Sequence, residues 1–354
     1  MSPPVPVIND VLRPRSVAGV TGAADFSFSN NGSMIYVPGD ELVLPGLGAE
    51  VTLALVDRAG NRKALNLPPA PYNQPRISPN GRQLAYHTEY GEDRVIYIYD
   101  LTGAAAPRKL TFGGHNHRAT WSPNGERLVF TSDREGDNAL FWQRADGNGP
   151  AERLSRGEPG VTLQSEAWSE NGNMIIFSSS RGGLRTLSML SPGGDQKPKP
   201  LITTYSTNAS LSPDGHWLAY TSNEEAGINQ VYVQPFPPTG PKFQVSTETG
   251  RNPLWDPSGK QLFYLKGQLG TGTSQIISVD LQTQPTFEVL KTTALPIEGI
   301  KGESGPRAYD ITPNGKSFIV MIPNAREEPG NALPQQIHIT LNWFEELKQR
   351  APVR

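Results

Sequence analysis

The chain of 354 residues has no cysteine. That absence removes disulfides, thiolate nucleophiles and thiolate metal sites, and leaves the fold indifferent to redox compartment. Long apolar runs are missing as well. No segment approaches the roughly 20 apolar residues of a membrane-spanning helix. The start, MSPPVPVINDVLRPRS, lacks the basic-then-apolar order of a secretion signal, so the chain reads as soluble and without an address. A formal charge of -2 gives no electrostatic footprint for a nucleic-acid backbone or an anionic membrane, and neither partner is expected. The apolar runs show no helical period either.

Turn formers are abundant. The 36 glycines and 33 prolines accompany 36% hydrophobic residues, the composition of a turn-rich folded protein. They recur in order. TWSPNGERLVFTSD (Thr120 to Asp133) returns as RISPNGRQLAYHTE, AWSENGNMIIFSSS, SLSPDGHWLAYTSN, LWDPSGKQLFYLKG and DITPNGKSFIVMIP, with a worn copy, SFSNNGSMIYVPGD, near the start. In a type I turn Ser suits the first position, Pro presets φ at the second and Gly takes the fourth. The runs after the turn alternate with period two, as half-buried strands do. Each copy is therefore a hairpin.

The turn glycines Gly32, Gly81, Gly125, Gly172, Gly215, Gly259 and Gly315 stand roughly 43 to 56 residues apart, the length of one four-stranded propeller blade. A third strand follows most hairpins, as in VIYIYDL (Val95 to Leu101), and a short fourth follows that, as in RKLTF (Arg108 to Phe112). Such sheets bury both faces only by stacking around an axis. The expectation is an all-β, single-domain protein over 1–354, a seven-bladed β-propeller of four-stranded antiparallel blades, with six blades as the alternative. The last copy lacks a fourth strand, so Val5 to Val17 is expected to close that blade as its outer strand, its prolines tolerated at an edge. Residues 343–354 read as a short C-terminal tail.

The aromatic, Ser/Asp, Pro, Asn/Asp, Gly signature resembles the TolB-type, WD-like propeller repeat. The stretches GAADFSFSNNGSMIYVPG (Gly22 to Gly39), SPDGHWLAYTSNEEAGINQVYVQPFP (Ser212 to Pro237), WDPSGKQLFYL (Trp255 to Leu265) and LNWFEELKQRAPV (Leu341 to Val353) are most similar to the propeller that follows the catalytic domain in bacterial eukaryotic-like serine/threonine kinases. No kinase motif is present, and kinase activity does not carry over. What the resemblance implies is sensing or docking. It also implies a periplasmic location if this is the sensor part of a membrane kinase, and a cytoplasmic one if the start is native.

By analogy with the fold, function sits at the channel mouth, beside the innermost strands. The residues there are Asp25, Asn73, His115, His117, Arg118, Glu166, Asn208, Arg251, Tyr309 and Asp310, a mixed polar ring suited to a small polar ligand or a protein partner. His115 and His117 alternate in an extended segment and are the weak candidates for a divalent metal in the channel, which wants at least three protein ligands. No other cofactor is expected. Asp133, Glu135 and Asp137 read as a solvated acidic turn without the distal Glu of a calcium loop. Nucleophile-elbow, phosphate-loop and HExxH motifs are missing. The leading expectation is a monomeric, non-catalytic binding propeller, and the alternative is a metal-assisted lyase or hydrolase at the channel mouth.

Overall fold

The computed structural model describes residues 13–14, 26–29, 33–36, 41–42, 50–90, 93–194, 197–224, 227–267, 273–302, 305–324, 338–341 and 343. The chain divides into two compact units, Met1–Leu47 with Ala325–Arg354, and Gly48–Asn324.

The hairpin turns explain the second unit. Ser122 Oγ donates to Asn124 Oδ1 at 2.7 Å and accepts the Arg127 amide at 2.9 Å, so one hydroxyl ties the turn to the start of the next strand. Ser78, Ser169, Ser212 and Thr312 repeat this with Asn80, Asn171, Asp214 and Asn314. Gly125 closes the turn at φ +71°, where a side chain would be strained. The sequence pattern is thus a hydrogen-bonding device as well as a conformational one.

Each hairpin opens a blade. Blade one is Tyr72–Ile77, Gln83–Tyr90, Asp93–Asp100 and Arg108–Lys109, and blade two is Asn116–Trp121, Arg127–Ser132, Ala139–Arg144 and Glu152–Arg153. Blade three runs Thr162–Trp168, Ile175–Arg181, Leu184–Leu190 and Lys199–Ile202. Blade four follows with Thr207–Leu211, Trp217–Ser222, Gln230–Pro235 and Phe243–Gln244, and blade five with Arg251–Trp255, Gln261–Lys266, Thr273–Gln282 and Glu288–Ala294. All pair antiparallel in chain order.

Blade six corrects the expected count. Tyr309–Ile311 and Ser317–Pro323 supply its inner half, and Val51–Asp57 pairs antiparallel with Ser317–Pro323, followed by Arg62–Ala64. The third strand of this blade comes from a segment some 260 residues before its partner Ser317–Pro323, and not from the chain that follows it. The ring has six blades, the alternative reading. Six apolar clusters, one between each neighbouring pair, confirm closure: Leu53, Tyr72, Leu84 and Ile319 join blade six to blade one, and Val56, Phe263, Ile276 and Phe318 join blade five to blade six. A strand Cβ alternates in direction, so each blade feeds both neighbours from opposite faces.

The worn first copy lies in the other unit. Phe26–Phe28 and Met34–Tyr36 form its hairpin, and His338–Thr340 pairs with Met34–Tyr36 in a three-stranded sheet. Of the segment Val5 to Val17, only Arg13–Pro14 is described, paired in parallel with Glu41–Leu42, and the remainder lies outside the described residues, as does the tail beyond Trp343.

Candidate functional site

The six innermost strands face the axis of the ring, and five of them slip register partway along. A β-bulge of this kind sets two residues against one on the neighbouring strand and re-aims a side chain. In four blades the bulged residue adopts a left-handed backbone: Gln74 (φ 48°), Arg118 (φ 60°), Asn208 (φ 54°) and Asn252 (φ 57°). Each stands seven residues before its turn glycine, one position of the repeat seen four times.

These four residues are also buried, at 4%, 6%, 7% and 0% exposure. Their side chains carry enclosed polar atoms with no hydrogen-bond partner in the protein: Gln74 Oε1, Arg118 Nη1, Asn208 Oδ1, and both Oδ1 and Nδ2 of Asn252. An enclosed polar atom left unpaired costs about 1–3 kcal/mol, and a left-handed backbone adds to that for any residue with a Cβ. Strain and unmet hydrogen bonds therefore coincide at one place in the fold.

Around them the inner strands are linked across blades. Ile77 donates its amide to Asp310 Oδ2 at 2.9 Å, Trp121 Nε1 donates to the Arg76 carbonyl at 2.9 Å, and the Tyr309 hydroxyl donates to the Asn252 carbonyl at 2.8 Å. The Tyr309 phenol is pushed far up by burial. Two expected site residues, Tyr309 and Asp310, thus spend their polar atoms on holding neighbouring blades. Arg307 reaches Asp310 at 3.3 Å.

The other expected residues divide. Arg118 and Asn208 belong to the bulge set. Glu166 accepts from the Ser178 hydroxyl at 2.7 Å and Thr207 at 3.4 Å, and Arg251 Nη2 donates to Ser274 Oγ at 3.2 Å. Asn73 donates to the Pro71 carbonyl at 3.4 Å. His115 is exposed, and both its amide and its Nδ1 engage Asp133 at 2.6 Å. His117 has its Nδ1 enclosed without a partner, and its ring centroid lies 6.2 Å from that of His87. The two metal candidates therefore have different surroundings, and among the described residues no three His, Asp or Glu side chains converge as a metal cluster. Asp25 lies outside the described residues. In the acidic turn, Arg153 pairs with Glu135 at 2.7 Å and with Asp137.

Sequence reasoning reaches the segments that hold Gln74 and Asn252 but selects their neighbours Asn73 and Arg251, and it reads His87 as structural. His87 is 4% exposed on the second strand of blade one, its Nε2 3.6 Å from Glu89, which Arg94 approaches at 3.0 Å. Burial lowers the imidazole pKa of His87 and lowers that of His117 further. Glu89 is held well below its usual value: burial opposes its ionisation, and the His87 hydrogen bond with the nearby cations overcomes it. The signal for Gln74 and Asn252 was in the sequence as a fixed offset from the turn glycine.

A closed ring of six four-stranded blades, with strained polar side chains along its inner strands, defines a β-propeller. The chain belongs to the TolB beta propeller domain family, whose pattern matches residues 45–294. Over 67 residues it is 36% identical to the Tol-Pal system protein TolB of Alcanivorax borkumensis, a stretch that covers 19% of this chain and 15% of that relative. Among solved structures, one described as TolB of Agrobacterium tumefaciens superposes with a TM-score of 0.60 at 16% identity, covering 77% of this chain and 98% of that one. TolB of Acinetobacter baumannii gives 0.52 at 17% identity, covering 80% and 65%. An oligogalacturonate lyase in complex with manganese gives 0.50 at 12% identity, covering 90% and 82%. At these identities the likeness is one of fold.

Proposed function

We propose that the chain is a non-catalytic binding propeller that seats a small polar ligand in its channel, a ligand-sensing module of the kind its resemblance to kinase-associated propellers suggests. One observation carries this reading. Gln74, Arg118, Asn208 and Asn252 occupy equivalent positions, hold left-handed backbones and leave buried polar atoms unpaired. Strain that the surrounding fold must hold in place supports a ligand site when it recurs at one locus together with unmet donors and acceptors. A ligand that met those atoms would recover hydrogen bonds already prepared, with little ordering cost.

Thermal-shift screening of polar metabolites, repeated on Asn208→Ala and Asn252→Ala, tests the reading. Hits that raise the wild-type melting temperature should lose at least half of their shift in both variants. Hits whose shift is untouched by either substitution would place binding elsewhere and refute the channel assignment.

A further inference from the structure

The inference rests on the channel reading and names the chemistry of the ligand. Arg118 is 6% exposed and its Nη1 has no partner. Arg76, at 8% exposure, turns its Nη1 to the carbonyl oxygens of Pro75, Arg307 and Tyr309, at 2.8, 3.0 and 3.5 Å. Neither guanidinium makes a hydrogen bond to a carboxylate among the described residues. Burial, with Arg307 nearby, lowers Arg76 to about 9, and burial lowers Arg118 to about 10, so both still carry charge at neutral pH.

The carboxylates of this neighbourhood are mostly spent. Glu89 is engaged by Arg94 at 3.0 Å, and Asp310 by Arg307 at 3.3 Å and by the Ile77 amide. That leaves Arg76 and Arg118 in the field of Glu166, which already accepts from Ser178 and Thr207, with Arg185 adding positive charge beside Arg118. The histidines beside them, His87 and His117, are uncharged at neutral pH. Positive charge is in excess, it is buried, and one donor points at nothing. A buried cation without a counter-charge is costly, and a guanidinium fork matches an oxyanion in two parallel hydrogen bonds.

We infer that the channel holds an oxyanion group, a carboxylate or a phosphate, seated on Arg118 within the field of Arg76 and Arg185. The amides of Gln74, Asn208 and Asn252, on the inner strands of blades one, four and five, would read the uncharged polar part of the same ligand. Specificity for charge and specificity for the rest of the molecule then come from different blades.

The test uses the full chain with inorganic phosphate and citrate as probes, titrated at constant ionic strength with chloride as the balancing anion. Melting temperature and calorimetric heats are read for wild type, Arg118→Asn, Arg118→Lys and Arg144→Gln. Asparagine is the residue that blades four and five carry at this position and it tolerates a left-handed backbone, so Arg118→Asn should fold. The lysine variant keeps the charge. At least one probe should bind the wild type saturably, tenfold or more weakly to Arg118→Asn, within threefold to Arg118→Lys, and unchanged to Arg144→Gln, whose arginine is exposed and paired with Asp146. A response to citrate alone identifies carboxylate as the source, and a response to phosphate alone identifies phosphate. No saturable response beyond chloride, or equal affinity in Arg118→Asn, overturns the assignment. If trehalose, a neutral probe, binds in an Asn252-dependent way while neither anion does, the oxyanion fails and the channel reading survives.

Discussion

Arg58, in the turn after the strand that completes blade six, places its Nη2 2.7 Å from Asp256 Oδ2 in the hairpin turn of blade five. Its Nη1 donates to Gln261 Oε1 at 2.6 Å and its Nε to the Gly315 carbonyl at 2.8 Å. One guanidinium joins the earliest strand of the ring to the two latest turns. It lies in a cleft of about 670 Å³ shared with Pro257, Pro313 and Lys316. Asp256 is buried and Arg58 is about one-third exposed, so the pair is stronger than a surface ion pair. Replacing Arg58 with Ala should lower stability by about 2 kcal/mol, because a buried carboxylate loses its partner. Denaturant unfolding should show a lower midpoint at an unchanged slope, and an unchanged midpoint would remove the latch role.

Two turn glycines separate conformational strain from crowding. Gly215 and Gly315 sit at φ +72° and +68°, but an added Cβ at Gly215 meets nothing within 4 Å, whereas at Gly315 it falls 2.9 Å from Asp256 Oδ2. Gly215→Ala should cost about 1 kcal/mol from the left-handed backbone alone. Gly315→Ala should cost more, because it also disturbs the Arg58–Asp256 pair. Equal losses in melting temperature would show that the latch adapts freely.

Asn208 offers a test in the opposite direction. Its left-handed backbone and unpaired Oδ1 both act against the folded state. Glycine removes both, at an entropic cost of roughly 0.5–1 kcal/mol. Asn208→Gly should therefore be at least as stable as the wild type while Asn208→Ala is less stable. A clear loss in Asn208→Gly would make Asn208 a structural residue.

The repeat and its turn chemistry were legible in the sequence because they are local. Ser122, Asn124 and Gly125 act on one another within a few residues, and the same is true of each copy. Blade number was not local. Counting hairpins gave seven, but the sheet to which a hairpin belongs depends on pairings such as Phe318 with Val56, which no short-range pattern encodes. The site was half legible. Looking for polar residues beside the innermost strands selects Asn73 and Arg251, whereas the bulge turns Gln74 and Asn252 into the strained, buried positions, and a bulge leaves no mark on an apolar–polar alternation.

Acid should destabilise the ring in two stages. His87 and His117 have lowered pKa values in the folded state, so the unfolded chain binds more protons as pH falls below about 6.5, and stability is lost from there downward. Glu89 also has a lowered folded pKa, and its contribution, present above about 4.5, is lost as pH falls further. Arg94 and Arg118 beside the imidazoles penalise their protonation. His117→Gln should flatten the stability profile below about pH 6.5 and leave in place the limb that Glu89 contributes below about 4.5. A mutant profile parallel to the wild type throughout would remove His117 from the acid response.

The strand Val51–Asp57 also sets a timetable. Val51, Leu53, Ala54 and Val56 are 0–1% exposed in the finished ring, yet their partner Ser317–Pro323 leaves the ribosome only after some 260 further residues. At about 5–20 residues per second this strand waits roughly 10–50 s with an apolar edge unpaired. The nascent chain is most open to chaperones, and to strand capture by a neighbouring chain, during that interval.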